Sequence, residues 1–248
     1  MSRPSDSLRD LYEQRGRLEY ASVPGRPDSL DRKFERLSRA VADHLPCRAF
    51  LDAGCGDGRY LAALPSLGPL PGLVAGVDIA GSILATASAT AAAADVPVEL
   101  ARANLESLPF EDGAFDLILC TQVIEHLLDP LAAVRELRRV LARDGTLVIS
   151  TDHRGNRVSK TLNAPRSLLV AFLGLRGRRL RVSFPHRDFA RAEFVELLRD
   201  GGLEIRAVET FRFHVTGAPP AIQRLLNWID RRLAPHSLGD ILLVECEP

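Results

Sequence analysis

A glycine-rich loop after a short apolar run constrains this chain more than any other stretch. Residues 51–61 read Leu-Asp-Ala-Gly-Cys-Gly-Asp-Gly-Arg-Tyr-Leu. Gly54, Gly56 and Gly58 lack a Cβ, so the loop can turn tightly and bring its backbone against a ligand. A helix-like pattern begins after Gly58, and the N-terminus of a helix favours a carboxylate or a phosphate. The loop therefore predicts a nucleotide-type cofactor site at the end of a strand.

The residues around the glycines narrow the choice of cofactor. A dinucleotide fingerprint needs a glycine where this chain has Arg59, which disfavours a dehydrogenase, and no Gly-Lys-Ser/Thr follows to make a P-loop. Asp52 would repel a pyrophosphate but suits an amine or a sulfonium. Asp78 ends a second apolar run, where an acid can accept hydrogen bonds from ribose hydroxyls. An amino acid joined to a ribose and a base would satisfy these features. The simpler alternative is that the glycines and Asp52 only form a turn.

Several segments in order resemble the motifs of class I S-adenosylmethionine-dependent methyltransferases, and the resemblance covers roughly residues 45–152. The glycine loop resembles the first motif and Val-Asp-Ile at 77–79 the second. Residues 104–110 resemble the adenine-side segment, and residues 115–120 resemble the fourth strand. Residues 122–127 resemble the turn after that strand, and residues 137–147 resemble the helix and turn into the fifth strand.

This resemblance implies S-adenosylmethionine as cofactor, S-adenosylhomocysteine as product, and a set of binding residues. The implied cofactor-binding residues are Asp52, Gly54, Cys55, Gly56, Asp78, Ile79, Asn104, Leu105, Thr121 and Gln122. Asn104 stands where the family more often has an acid, but its carbonyl can still accept a hydrogen bond from an adenine amino group.

Methyl transfer to a hydroxyl requires alignment of the acceptor and removal of its proton. His126 is the candidate base, because it follows the fourth strand and its ordinary pKa lies near neutrality. Glu125 is expected to orient His126 or to cap the next helix. His153 and His186 are alternatives, and Tyr20 could close over the site from the N-terminus. Aromatic residues that could line an apolar acceptor site, or simply belong to the core, are Phe184, Phe189, Phe211, Phe213 and Trp228.

Alternating strand and helix patterns predict an α/β fold, a Rossmann-like doubly wound sheet with helices on both faces. The resemblance implies seven strands in the order 3-2-1-4-5-7-6 with strand seven antiparallel. We expect strands near 48–53, 73–78, 96–102, 114–120, after Gly145, 203–211 and 241–245. Helices are expected near 58–65, 82–94, 130–142, 190–200 and 219–233. Residues 1–44 would form an N-terminal helical cap, and 45–248 the methyltransferase domain with a lid insertion at about 152–187.

The insertion is the second informative region. Residues 152–187 carry nine basic residues and one acid, interleaved with leucines, in a chain of zero formal net charge. The pattern fits a lid that covers the substrate, or a lid that also touches an anionic membrane through residues 157–181. Scarce aromatic residues disfavour RNA. The pattern around 150–189 is similar to the ubiquinone-biosynthesis O-methyltransferases, which methylate phenols with isoprenoid tails. Their turn carries Glu-x-x-Glu-His, proposed to hold a cation; Gln122 replaces the first acid here, so no metal is expected.

Composition limits the remaining function classes. Zero net charge gives no sign of a nucleic-acid partner. The four cysteines form no Cys-x-x-Cys pattern, the N-terminus is polar, and no run is apolar for long enough to span a bilayer. We therefore expect a cytoplasmic protein, peripheral to a membrane if the lid binds lipid. The leading hypothesis is a methyltransferase acting on a hydroxyl of a small, apolar or lipid-like acceptor. The alternative is a non-catalytic cofactor-binding sensor or membrane-recruited protein.

Overall fold

Seven strands form one mixed sheet in the order β3-β2-β1-β4-β5-β7-β6. The structure is a computed structural model that describes residues 10, 13, 32–155, 186–213, 219–233 and 238–248. The strands are β1 (Ala49–Ala53), β2 (Leu73–Asp78), β3 (Glu99–Arg102), β4 (Phe115–Thr121), β5 (Leu141–Asp152), β6 (Glu204–Phe211) and β7 (Ile241–Glu247). β7 runs antiparallel between β5 and β6, and the other pairings are parallel. The expected strand order and orientation are confirmed.

Six helices cover the two faces of the sheet among the described residues. They are α1 (Arg32–Ala42), α2 (Arg59–Leu67), α3 (Gly81–Ala92), α4 (Pro130–Val140), α5 (Arg191–Asp200) and α6 (Pro220–Leu233). The buried residues divide into two clusters, since successive strand residues point to opposite faces. Leu51 and Ile118 belong to one cluster, and Phe50 and Leu119 belong to the other.

The strand order creates a crevice suited to ligand binding at the carboxyl ends of the strands. β1 pairs with β2 on one side and with β4 on the other. The chain builds β2 and β3 on one side of β1 and then crosses to build β4 on the other, so the strand order reverses at β1. In open α/β sheets the crevice outside the carboxyl ends of the strands at such a switch point is where ligands bind. The glycine loop follows β1 directly, which puts it at this crevice.

The fifth strand is longer than expected. β5 begins at Leu141, immediately after α4, whereas the glycine in the sequence led us to expect a strand after Gly145. Phe115 pairs with Leu141 and Leu117 with Thr146, so the intervening residues of β5 bulge out of register. Asp144 and Gly145 therefore lie in a bulge inside the strand.

Part of the predicted domain organisation lies outside the described residues. This applies to residues 1–9, 11–12 and 14–31 of the cap and to residues 156–185 of the insertion. The described end of the insertion returns to the sheet, because Phe189 forms a bridge with His153 beside β5. Among the helices that the structure describes, none is both long and apolar enough to cross a bilayer.

Candidate functional site

A cavity of about 380 Å³ opens at the carboxyl ends of β1, β2, β4 and β5. Its wall includes most of the predicted site residues and several others. The lining residues are Lys33, Gly54, Cys55, Gly56, Asp57, Arg59, Tyr60, Asp78, Ile79, Ala80, Ile83, Asn104, Leu105, Thr121, Gln122, Val123, Glu125, His126, Leu127 and Asp152.

The glycine loop is fastened to the end of β2. The N–H groups of Gly54 and Cys55 both donate to the Val77 carbonyl, at 2.8 and 2.9 Å. The Gly56 N–H donates to Asp78 Oδ2 at 3.1 Å. These bonds hold the loop in a bent shape in which Gly54 has a φ angle of +83°. Residues that carry a Cβ rarely adopt this backbone angle.

Asp78 lies between the loop and the start of α3. Its second oxygen, Oδ1, accepts from the Ala80 N–H at 2.9 Å. Burial raises the pKa of this carboxyl, and hydrogen bonds from the backbone of Ala80, Gly56 and Ile79 oppose the shift. A carboxylate oxygen can accept more than one hydrogen bond, so Asp78 retains acceptor capacity toward the cavity it lines. That capacity suits a pair of ribose hydroxyls.

An apolar slot with one amide at its rim lies beside Asp78. Ile79, Ile83 and Leu105 supply the apolar wall. Asn104 is fixed by its neighbour, because its Oδ1 accepts from the Glu106 N–H at 3.2 Å and its Nδ2 donates to Glu106 Oε2 at 3.3 Å. A planar base fits such a slot, where apolar walls surround a few oriented polar groups.

Asp52 is fully buried and is not among the residues that line the cavity. Among the described residues, neither of its carboxylate oxygens has a hydrogen-bond partner. Burial, with the nearby charges of Asp78 and Asp57, raises its pKa to about 8. Asp52 does not line the cavity, and its contact with a cationic group therefore stays a prediction. The carboxyl stands behind the loop, and a cation in the cavity would favour its ionised form through the field. The orphaned carboxyl and the glycine cradle fit a cofactor that carries an ammonium group.

The ends of β4 and β5 are tied together beside the loop. Ser150 Oγ donates to Thr121 Oγ1 at 3.1 Å, and the Gln122 N–H donates to the Ser150 carbonyl at 3.0 Å. In the amide orientation that satisfies both groups, Gln122 donates to Asp152 Oδ1 at 2.9 Å and accepts from the Asp152 N–H at 3.3 Å. These bonds place the Asp152 carboxylate on the cavity wall.

Glu125 is a buried carboxyl on the same wall. It lies in a 3₁₀ turn, Ile124–His126, and is 2% exposed. Thr151 Oγ1 donates to its Oε2 at 3.1 Å. Burial, assisted by the Asp152 charge, raises the pKa of Glu125 to about 8, so the carboxyl keeps its proton at neutral pH.

Two histidines meet at this end of the cavity. The rings of His126, which lines the cavity, and His186 lie 5.1 Å apart. His186 Nε2 lies 3.2 Å from Asp188 Oδ1 and 3.5 Å from Asp152 Oδ2. Asp152, His186 and Asp188 each offer one ligand atom, and these atoms lie within 4.8 Å of one another, which is close enough to share a cation. The hydrogen bond between His186 and Asp188 accounts for part of the arrangement without an ion. The Arg187 N–H donates to the Glu125 carbonyl at 3.0 Å, which fixes the returning insertion against the site.

Other predicted residues lie elsewhere. His153 is buried away from the cavity, with its Nδ1 2.9 Å from the Gly239 carbonyl oxygen. Tyr20 and Phe184 are outside the described residues. The other aromatic residues proposed for an acceptor site are either core (Phe189, Phe211 and Phe213) or half exposed (Trp228).

Sequence reasoning missed part of the cavity wall. Tyr60 stacks on Phe34 of α1, with ring centroids 5.2 Å apart, and Lys33 lies on the same helix. The sequence predicted a helical cap over residues 1–44, but it did not show that α1 packs against α2. Asp152 could have been found as the one acid among nine bases in the insertion.

The chain is similar in sequence to known methyltransferases. Residues 51–149 match the family model described as a methyltransferase domain. The chain is 30% identical over 169 residues to a ubiquinone biosynthesis O-methyltransferase of Xanthomonas campestris pv. campestris, covering 66% of each chain. It thus spans slightly less than two thirds of that relative's length. A probable S-adenosylmethionine-dependent methyltransferase of Mycobacterium tuberculosis is 37% identical over 123 residues, which is 50% of this chain and 42% of the relative.

Solved structures share the fold at lower identity. Magnesium protoporphyrin IX methyltransferase from Synechocystis PCC 6803, solved with bound SAH, matches with a TM-score of 0.58 at 18% identity. The match covers 98% of each chain. At this identity the likeness speaks for the fold, whose carboxyl edge holds the cavity described above.

Proposed function

The chain belongs to the S-adenosylmethionine-dependent methyltransferases, and from that premise we propose that it methylates a hydroxyl of a small apolar or lipid-like acceptor. The observation that carries this proposal is the composition of the cavity wall. Ribose- and base-compatible groups lie on the β2 and β3 side, and the titratable groups Glu125, His126 and Asp152 lie on the β4 and β5 side.

S-adenosylmethionine, when bound, supplies an electrophilic methyl group on a sulfonium. The chain's own contribution is to hold the acceptor in line and to take its proton. Asp78, Asn104 and the glycine loop would fix the cofactor's ribose, base and amino-acid ends. The acceptor would then enter between the loop and the 3₁₀ turn Ile124–His126, where Val123 and Leu127 provide apolar contacts.

We assign the proton-accepting role to His126. An imidazole titrates near neutral pH and can accept a proton from a hydroxyl within hydrogen-bond reach. Glu125 keeps its own proton below about pH 8. It therefore adds no negative charge beside the reacting hydroxyl at neutral pH, and it positions the turn that carries His126.

The apolar character of the acceptor is supported by the wall and by a relative. Val123, Leu127 and Tyr60 are apolar or aromatic, and such side chains predominate in sites for small molecules. The name of the Xanthomonas relative, ubiquinone biosynthesis O-methyltransferase, points to hydroxyl methylation. Lys33 on the rim would favour an acceptor that develops negative charge on oxygen.

The test is transfer of a labelled methyl group to a panel of phenols and catechols, with and without an alkyl tail, against matched amines. We expect a tailed phenol or catechol to be the better acceptor. His126→Asn should lower kcat about 100-fold while the Kd for S-adenosylhomocysteine changes little. His44→Asn is the matched control, because His44 pairs with Glu245 and does not line the cavity.

Two outcomes would contradict the proposal. Unchanged kcat in His126→Asn would remove the assigned base. Tight binding of S-adenosylhomocysteine without transfer to any hydroxyl or amine would favour the alternative, a non-catalytic cofactor-binding protein.

A further inference from the structure

Helix α6 packs its polar side against the protein. Asp230 is fully buried, and it accepts from Arg32 Nε at 2.7 Å and from the Arg212 N–H at 2.7 Å. Gln223 Nε2 donates to the Phe213 carbonyl and to Asn227 Oδ1, both at 3.0 Å. Asn227 is 4% exposed. The inward side of this helix is therefore held by hydrogen bonds and one ion pair.

The apolar side of α6 faces outward. Ile222, Leu225, Trp228 and Leu233 are 48%, 55%, 53% and 53% exposed. Ile222, Leu225 and Trp228 recur every three residues, and Leu233 lies about three helical turns after Ile222, so the four share one stripe of the helix. We call this stripe, together with the three exposed arginines beside it (Arg224, Arg231 and Arg232), the α6 outer face. An amphipathic helix normally has the reverse orientation.

The charges on the α6 outer face have one sign. The helix contains a single acid, Asp230, which is buried on the opposite side. The Arg232 guanidinium lies over the Trp228 ring, 5.2 Å from its centroid, so a cation covers part of the aromatic surface. Arg231 also reaches Glu35 of α1 at 2.6 Å, which fixes one arginine at the edge of the face.

We propose that the α6 outer face docks on the surface of an anionic lipid bilayer. An exposed apolar stripe flanked by cations fits the interface, where apolar side chains enter the acyl boundary and arginines meet lipid phosphates. Tryptophan favours that depth because its ring is apolar and its N–H is polar. A second copy of the chain fits less well, because a two-fold contact would bring arginines against arginines.

The docked helix would lie beside the cavity. Asp230 is bonded to Arg32, and the next residue of α1, Lys33, lines the cavity. A bilayer against α6 would therefore lie next to the α1 turn that borders the site. This surface is distinct from residues 157–181, whose predicted membrane contact lies outside the described residues and stays a prediction.

Trp228 supplies a direct probe, because it is the one tryptophan in the chain. The full protein is mixed with vesicles of phosphatidylcholine, or of phosphatidylcholine with phosphatidylglycerol. With the anionic vesicles we expect Trp228 emission to shift to shorter wavelength and brominated acyl chains to quench it. Raising the salt concentration should reverse both effects, since the arginine–phosphate attraction is screened.

Co-sedimentation with the same vesicles compares variants that leave the cavity untouched. Leu225→Ser should reduce the partition coefficient about tenfold, as removal of one inserted apolar side chain implies. Arg224→Ala should reduce it about fivefold. Leu70→Ser is the matched control, because Leu70 is 40% exposed but lies in the loop after α2.

Several results would overturn the proposal. Trp228 emission that does not respond to anionic vesicles would mean that the face does not meet lipid, whether another segment of the chain or a protein covers it. Binding that survives Leu225→Ser but is lost when the arginines at 176–181 are replaced would assign the contact to the insertion. A concentration-dependent dimer abolished by Leu225→Ser, without vesicle binding, would assign the face to self-association.

Discussion

The Val123 side chain occupies the space that a Cβ on Gly54 would need. An ideal Cβ on Gly54 would lie 2.3 Å from Val123 Cγ2, well inside van der Waals contact. The loop after β1 and the turn after β4 are therefore packed without room for a methyl group. Both residues line the cavity, so a side chain at position 54 would displace part of its wall.

Gly54→Ala should unfold the loop locally and abolish cofactor binding. The substitution adds both the clash with Val123 and the strain of φ at +83°. Gly113→Ala separates these effects, since Gly113 has φ of +68° but its nearest contact would be 3.7 Å away, in a loop distant from the cavity. We expect Gly113→Ala to lower the free energy of unfolding by about 1 kcal/mol and Gly54→Ala to lower it more. Equal losses in urea titrations would show that Val123 yields.

Asp78→Ala should weaken S-adenosylhomocysteine binding at least tenfold, corresponding to about 1.4 kcal/mol or more for hydrogen bonds to a charged group. The variant also removes the acceptor for Gly56 N–H, so calorimetry is paired with circular dichroism to show that the fold persists. Asp112→Ala is a suitable control, because its side chain is 82% exposed and does not line the cavity. Undiminished affinity in Asp78→Ala would mean that the ribose is held elsewhere.

Cofactor binding at neutral pH should release a proton from Asp52. The pKa of this carboxyl is raised to about 8 by burial, so it is protonated in the free protein. An ammonium group arriving in the cavity favours the ionised form and lowers that pKa. Titration with S-adenosylhomocysteine in buffers of different ionisation enthalpy measures the released protons. The release should disappear in Asp52→Asn; identical release in both proteins would point to another group.

Stability of the cofactor-free protein should fall as the pH rises through neutrality. Glu125 titrates at about 8 in the folded chain, against an ordinary value of 4.5. Between these values the folded state binds more protons than the unfolded state, so the free energy of unfolding decreases with rising pH over that window. In Glu125→Gln the free energy of unfolding should decrease less steeply with pH. Urea titrations at pH values on either side of neutrality measure this slope. A slope unchanged in Glu125→Gln would contradict the raised pKa.

Asp230→Ala should destabilise the protein by about 3 kcal/mol, because the buried guanidinium of Arg32 loses the carboxylate at its Nε and keeps only Glu35, 3.5 Å from its Nη1. Arg32 and Asp230 are 9% and 0% exposed at their side chains. Arg231→Ala is the comparison, since Arg231 pairs with Glu35 at the surface and its loss should cost less than about 1 kcal/mol. Thermal unfolding of both variants measures the difference. Similar losses would indicate that the Arg32–Asp230 pair does not anchor α6.

Local sequence patterns were enough to predict several residues that line the cavity, because these residues directly follow recognisable strands. Gly54, Gly56 and Asp78 follow strands that the apolar runs marked, and β1 and β2 end within a residue of where they were expected. The same reasoning placed Asp52 on the cavity wall, whereas β1 carries its side chain behind the loop. The alternation of side chains along a strand shows which residues share a face of the sheet. It does not show which residue at the end of the strand meets a ligand, because that depends on the turn that follows.

The acceptor side depends on contacts between distant segments, which a single sequence does not display. Lys33, Tyr60 and Asp152 come from three different elements, and only packing of α1 on α2 and pairing of β4 with β5 brings them together. The outward apolar stripe of α6 was equally hidden. The apolar residues of α6 recur as in a helix that packs its apolar side on a core. In the structure the side that carries Asp230 packs on the protein, so the apolar side faces outward.

The cavity lies between two halves of the sheet, and this division largely separates the groups suited to the methyl donor from those assigned to the acceptor. Most of the groups suited to the cofactor follow β1, β2 and β3, whereas Glu125, His126 and Asp152, which we assign to the acceptor, lie at the ends of β4 and β5 beside the returning insertion. Changes around these three residues would therefore alter the acceptor that fits, while Asp78 and Asn104 on the other side still suit the methyl donor. An ancestral chain with this layout could drift from one acceptor to another by altering a turn and an insertion.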